Sequence, residues 1–331
     1  MFNVSEKTIF YIVCPYFFKT GGTELAHQLV AELNKNGVKA IITYYGDGEK
    51  SINPAFKKYV DEYIDISNVK DLAENIIVLP EIAQTYIDKF NNIQKAVWWM
   101  SVDNFVKRNG IINAIKFYGL AKSFKYVLTK NIPLVSKKIS NRCIHFYQSE
   151  YAKNYLEEQG ISNLYPLSDF INDSFFEKSN YDFNREDIVL YNPKKGFDFT
   201  KTIIDRASEL RFIPLENMTN QQVINLLRRS KVYIDFGNHP GKDRFPREAA
   251  ISGCCIITNK KGSAKYFDDV PIPEEYKFED TAENIDKIID KIKLCISNYD
   301  EVITDFKDYR EKIESEHKVF IDNVKDLVKN E

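Results

Sequence analysis

The feature that most restricts this chain is a repeated switch of hydrophobic period. Residues 9–13 form a short apolar run, followed by a turn that contains Pro15, Gly21 and Gly22. From Thr23 the period becomes helical, with Leu25, Leu29, Val30 and Leu33 on one face. Gly37 stands where such a helix ends, and residues 38–45 read as the next strand. Strand, glycine turn, helix, glycine stop and strand make a βαβ unit. That unit dictates a parallel sheet with right-handed crossovers.

The alternation continues. Apolar runs at 76–79, 96–100 and 143–148 each end in a polar cluster: Pro80-Glu81, Ser101-Val102-Asp103 and Ser149-Glu150. Open parallel sheets gather ligands at the carboxyl ends of their strands, so Glu81 and Asp103 are expected to face chemistry, as candidate general bases. Both residues also suit the plain task of capping a following helix. After an irregular stretch, 168–185, a second series begins. It reads as strand 188–191, a turn at Asn192–Gly196, helix 200–210, strand 211–214 and helix 221–229. Strand 231–236, helix 245–252, a stop at Gly253 and strand 254–258 complete it. Beyond Thr281 the pattern is charged and helical, without strand signals.

A chain of 331 residues exceeds what a single core usually serves, which favours two domains. No apolar run reaches the roughly 20 residues that span a bilayer. The first residues place charge ahead of their apolar stretch in the manner of a strand rather than a secretion signal, so a cytoplasmic protein is expected. Cys14, Cys143, Cys254, Cys255 and Cys295 are scattered without CxxC spacing, and the four histidines are as dispersed. Buried free thiols and no structural metal are expected. The net charge of −2 excludes a globally basic nucleic-acid binder. Residues 104–149 nevertheless contain no Asp or Glu, while carrying Lys107, Lys116, Lys122, Lys125 and other cations among aromatic and aliphatic side chains. Such a block suits an anionic membrane surface or a lipid-phosphate acceptor; the plainer reading is a solvated helical face.

The richest chemistry lies between Asp235 and Asn259: a strand end, a donor-rich loop, a helix, a glycine stop and another strand. Gly237 and Gly241 let backbone amides approach a phosphate, and Lys242, Arg244 and Arg247 add positive charge. Glu248, one turn into the helix, suits both hydroxyls of a ribose. The run Phe-Pro-Arg-Glu-Ala-Ala-Ile-Ser-Gly-Cys-Cys-Ile-Ile-Thr, followed by Lys-Gly-Ser-Ala, resembles the donor-site signature of GT-B glycosyltransferases, particularly family 4. The resemblance extends more weakly over most of the chain. It implies two Rossmann-like α/β domains facing a cleft, with a nucleotide sugar bound there.

By that resemblance, Glu248 grips the ribose and Gly262-Ser263 line the same site. Lys194 and Lys195 face the donor phosphates, and Gly21-Gly22 match the glycine loop of the first domain. The implied organisation is an acceptor domain at 1–172, a linker at 173–186 and a nucleotide-sugar domain at 187–290. Helices in 291–331 return to the first domain. One position departs from family 4, which places a second acid eight residues before the ribose glutamate. Here Pro240 stands there, preceded by His239. His239-Pro240 resembles the His-Pro motif of bacterial sialyl- and Kdo-transferases. His239 and Asp243, or Asp235, are the candidates for the missing sugar-side role.

The expected function is transfer of a sugar from a nucleotide-sugar donor to a glycan or lipid-linked acceptor in bacterial surface polysaccharide synthesis. No cofactor and no metal is expected, since protein cations serve the departing nucleotide. The competing readings are a nucleotide-sugar epimerase of the same fold and a non-catalytic glycan- or lipid-binding subunit.

Overall fold

The computed structural model describes residues 2–46, 48–49, 51–108, 115, 120, 143–177 and 184–329. The chain divides into two compact units, Met1–Asp169 with Lys318–Glu331, and Phe170–His317.

The first unit holds a parallel sheet of β1 (Ile9–Pro15), β2 (Lys39–Tyr45), β3 (Tyr63–Asp65), β4 (Ile76–Pro80), β5 (Gln94–Trp99), β6 (Ile144–Tyr147) and β7 (Leu164–Pro166). Their order is β3-β2-β1-β4-β5-β6-β7, with every neighbour parallel. β4 (IIVLP) is buried along its whole length, as expected of a parallel strand covered on both faces. Tyr11, Val13, Ile77, Leu79, Val97 and Trp99 build one side of its core. Helix α1 (Gly21–Lys35) begins two residues before the helical period becomes readable. Thr20 and Thr23 form a capping box that draws both glycines into the first turn. Helices α2 (Val102–Arg108) and α3 (Glu150–Glu158) follow β5 and β6.

The second unit holds β8 (Glu186–Tyr191), β9 (Arg211–Pro214), β10 (Ser230–Asp235), β11 (Cys255–Asn259) and β12 (Lys277–Phe278). These are parallel in the order β12-β11-β10-β8-β9. Its longer helices are α4 (Phe197–Arg206), α5 (Asn220–Arg229), α6 (Arg244–Ile251), α7 (Ile285–Ser297) and α8 (Lys307–Val328), the last continuing past His317. On α7 the buried positions are Ile285, Ile288, Ile289, Ile292 and Cys295, a strict helical stripe. Each isoleucine so buried stabilises the unit by about 1.5–3 kcal/mol. The same core takes in Phe175, Phe306, Tyr309 and Ile313, so it runs well beyond residue 290. All five cysteines are buried and free.

Three short strands escaped sequence reading. β3 and β7 are three residues long and only half buried, and β12 is two residues. Elements that short carry no period.

Both sheets contain a point where the chain reverses its direction of growth: between β1 and β4 in the first, between β8 and β10 in the second. Loops leaving the two strands on either side of such a point diverge and leave room for a ligand.

Candidate functional site

In the second unit the loops leaving β8 and β10 meet. Asn192 accepts the Lys194 N–H at 3.0 Å through its side-chain carbonyl, which turns the chain after β8. Gly196 then adopts a left-handed conformation (φ 60°) at the N-cap of α4. A Cβ at Gly196 would overlap the Phe236 carbonyl, and one at Gly237 would lie 2.5 Å from Lys195 Cβ. Only glycines allow backbone to meet backbone here.

The loop after β10 is anchored on both sides. Asp235 accepts from the Tyr233 hydroxyl at 2.8 Å and from the Gly237 N–H at 3.0 Å. Asn259, ending β11, donates to the Gly237 carbonyl at 2.8 Å. Ser263 donates its N–H to the His239 carbonyl (2.9 Å) and its hydroxyl to the Gly241 carbonyl (2.6 Å). Gly262, at φ 53°, lies against that same His239 carbonyl with no space for a Cβ. Gly237, Gly262, Ser263 and His239 are therefore gathered into one rigid corner.

The charges in this corner are arranged in two groups. In the first, Lys195 Nζ sits 2.8 Å from Asp243 Oδ2. His239, with no exposed surface, has Nδ1 3.2 Å from the same oxygen and Nε2 3.8 Å from Asp235 Oδ1. Asp243 is the N-cap residue of α6, yet its carboxylate makes no cap bond and turns to these partners instead. Burial pushes the Asp243 carboxyl up, but His239 and Lys195 outweigh it and hold it below the usual range. For His239, burial lowers the imidazole pKa, and the Asp235 and Asp243 carboxylates more than restore it, so it rises above its ordinary value. In the second group, Glu316 on α8 takes Arg247 Nη1 at 2.7 Å and Lys242 Nζ at 2.8 Å. Arg247 also donates to the Lys242 and Asp243 carbonyls at 2.9 and 3.2 Å.

Two of the cations expected beside a phosphate, Lys242 and Arg247, thus have their charges turned inward to a buried glutamate. Lys194 is exposed, and Lys195 and Arg244 are half exposed. Glu248 is buried on α6. Glu316 escaped sequence reading because its partner Arg247 lies 69 residues away.

Asp235, His239 and Asp243 bring side-chain oxygen and nitrogen atoms within 4.8 Å of one another, as a metal site would. The two ring nitrogens of His239 face different carboxylates, however, and the Lys195 ammonium already occupies Asp243 Oδ2. This arrangement fits a proton and an ammonium better than one metal ion.

In the first unit, Gly21 and Gly22 open α1, and a Cβ at Gly22 would touch Met100 Sδ at 3.5 Å. The Met100 N–H donates to Glu81 Oε2 at 3.1 Å, which brings Glu81, buried, to the same strand ends. Asp103, on α2, accepts from the Tyr151 hydroxyl at 2.8 Å. Lys116, Lys122 and Lys125 lie outside the described residues.

No protein-family model and no curated protein matches the sequence. Solved structures do match in fold. HepE from Anabaena, in complex with UDP-glucose, is 13% identical with a TM-score of 0.62 over 97% of this chain and 99% of its own. A glycosyltransferase from Rickettsia africae is 16% identical with a TM-score of 0.59, over 98% and 99%. A point mutant of S. aureus TarM, in complex with fondaparinux, alpha-GlcNAc-glycerol and UDP, is 16% identical with a TM-score of 0.54. The match takes in 80% of this chain but only 57% of TarM, so the chain spans little more than half that protein's length. The two parallel sheets and these likenesses give the chain the α/β fold of GT-B glycosyltransferases, with two Rossmann-like units.

Proposed function

We propose that the protein transfers a sugar from a nucleotide-sugar donor to a glycan or lipid-linked acceptor in surface polysaccharide synthesis. The observation that carries this reading is the corner at the reversal point of the second sheet. There two glycine-tight loops, the N-terminus of α4 and the Lys194-Lys195 turn converge. Backbone N–H groups, a helix dipole and lysines together suit a diphosphate. The donor's ribose lies on Glu248. HepE and TarM were each solved with UDP or a UDP-sugar, which makes a uridine nucleotide the first to try.

In the reaction the bond between the anomeric carbon and the leaving phosphate oxygen breaks, and one to the acceptor oxygen forms. The acceptor's proton passes to a base. Glu81 and Asp103 are the protein candidates if configuration inverts; if it is retained, the departing phosphate itself serves. Protein cations offset the charge on the leaving nucleotide, so no metal is needed. The enzyme works in the cytoplasm, with the basic 104–149 stretch holding it to the inner face of the membrane.

Thermal shift with UDP, GDP, CMP and dTDP tests the reading. One nucleotide should raise the melting temperature, and its sugar derivative should be consumed with an acceptor in excess EDTA. Loss of activity in EDTA, restored by Mn²⁺, would overturn metal independence. Epimerised sugar formed without acceptor would identify an epimerase, and no response to any nucleotide would mark a non-catalytic binder.

A further inference from the structure

His239 is the one histidine of the donor corner, and the neighbouring geometry gives it an unusual task. Its side chain has no exposed surface. Neither ring nitrogen reaches hydrogen-bond geometry with any group, yet each faces a carboxylate, Asp243 at 3.2 Å and Asp235 at 3.8 Å. The ring's backbone is fixed as well, since Ser263 N–H holds its carbonyl and Gly262 packs beneath it.

The local charges decide which protonation state fits. Asp235 on β10 and Asp243 contribute two negative charges, and Lys195 from the loop after β8 contributes one positive. The Tyr233 hydroxyl donates to Asp235 and stays neutral, its pKa pushed far up by burial. Across a small cavity that His239 also lines stand Lys242, Arg247, Asp269 and Tyr309. Lys242 and Arg247 are committed to Glu316. A neutral His239 would leave the Asp235, Asp243 and Lys195 group with a net negative charge, next to the place where an anionic donor is proposed to bind. A protonated ring would bring that group to neutrality and turn a positively charged edge toward each carboxylate.

We infer that His239 is kept as an imidazolium wedged between Asp235 and Asp243, and that it acts as a positioning residue. It neutralises Asp243 so that Lys195 is held in place without the pair repelling a diphosphate. This assigns His239 and Asp243 to holding the phosphate side of the site, rather than to contact with the reacting sugar. The donor half of the inference rests on the proposed function; the charge state of the ring does not. The burial and carboxylate effects noted above agree in sign with the geometry. A pKa raised above the ordinary value of a histidine means that the charge persists to higher pH than on a free imidazole and is lost as pH rises through the raised value. Donor affinity should therefore fall toward alkaline pH.

The test uses the full chain labelled with ¹⁵N-histidine. The four histidines give few side-chain signals, and His239→Gln identifies the one of interest. Both nitrogens of His239 should resonate as protonated at pH 7.5, when an ordinary histidine is largely neutral. UDP affinity should weaken by about tenfold or more in His239→Gln, and its decline between pH 7 and 9 should flatten in that variant. A His239 ring that is neutral at pH 7.5 overturns the inference even if UDP binds. Zn²⁺ or Mn²⁺ binding by the wild type, lost in His239→Gln, overturns it too, since the ring would then be a ligand. A charged ring in a protein that binds no nucleotide overturns the donor half, together with the proposed function. Should His239→Gln fail to fold, the wild-type spectrum and its pH dependence still decide.

Discussion

Gly196 and Phe236 belong to loops that leave different strands, yet a methyl group on Gly196 would lie 2.7 Å from the Gly237 nitrogen and overlap the Phe236 carbonyl itself. This contact closes the loop after β8 on the loop after β10. It is also one of the few relationships in the corner that a single substitution isolates. Gly160 has a comparable positive φ, 78° against 60°, but nothing within 4 Å of its Cβ position. The left-handed backbone alone costs an alanine about 1–3 kcal/mol at either position. Gly196→Ala should therefore lower the unfolding midpoint further than Gly160→Ala and abolish nucleotide binding. Equal shifts in the two variants, measured by urea denaturation, would show that the loops are not locked together.

The Lys242–Glu316–Arg247 group offers a second test, since Glu316 and the Arg247 and Lys242 side chains are all nearly inaccessible. Removing one partner of a buried pair leaves charge without compensation, typically at about 3–5 kcal/mol. Glu316→Ala leaves two buried cations and should destabilise the second unit by that amount. Glu316→Gln should lose less, because it keeps an acceptor. A Glu316→Ala protein with unchanged denaturation would mean that the group is solvated in solution.

These two contacts show where sequence reading stops. The alternation of period laid out strands β1, β2, β4, β5, β6, β8, β10 and β11 to within two residues, because each is a buried apolar run between polar turns. The loop after β10 was equally legible, since glycines, lysines and Glu248 are close in sequence. Which charges face outward was not. Lys242 and Arg247 look like phosphate ligands until Glu316, from a distant helix, is placed beside them. Asp243 looks like a sugar contact until Lys195 arrives from the other loop. Pairings across so many residues leave no periodic trace.

Glu248 is buried on α6, and the proposed donor site places the ribose on it. Loss of a charge-assisted hydrogen bond corresponds to about 1.5–3 kcal/mol, or roughly ten- to a hundredfold in affinity. Glu248→Ala should weaken UDP binding by that factor in calorimetry, with the far-ultraviolet circular dichroism unchanged. Unaltered affinity would remove Glu248 from the donor site.

A pH effect on stability should arise in the first unit. His27 is buried on α1, with Nδ1 2.6 Å from the Thr23 carbonyl and Nε2 2.7 Å from the Tyr44 hydroxyl. Nδ1–H donates to the carbonyl, so Nε2 accepts from Tyr44, and a second proton would turn that acceptor into a donor. Burial lowers the His27 pKa to about 4. A depressed histidine pKa means that the unfolded chain takes up protons first, so stability is full above about pH 6.5 and declines as pH falls toward 4. The loss should approach something on the order of 3 kcal/mol, from the two pKa values. Melting temperatures at pH 7.5 and 5.0 check this in wild type and His27→Gln. The wild type should show the steeper decline, and parallel declines would assign the effect elsewhere.

The last prediction concerns residues 104–149, most of which lie outside the described residues. The stretch contains no acid, and its lysines and arginines alternate with Phe105, Ile111, Ile112, Ile115, Phe117 and Tyr118. Each Lys or Arg brought to an anionic lipid surface contributes about 1 kcal/mol, so several acting together give reversible binding. That attraction is screened within about 10 Å at 0.1 M salt, which distinguishes it from hydrophobic insertion. The protein should sediment with phosphatidylglycerol vesicles at low salt, less so at high salt, and not with phosphatidylcholine vesicles. Replacing Lys116, Lys122 and Lys125 by Glu should abolish sedimentation while leaving UDP affinity intact, since the proposed nucleotide site is built from residues of the second unit. Absence of binding to anionic vesicles at low salt would return these cations to the role of a solvated surface, and the acceptor would then be a soluble glycan.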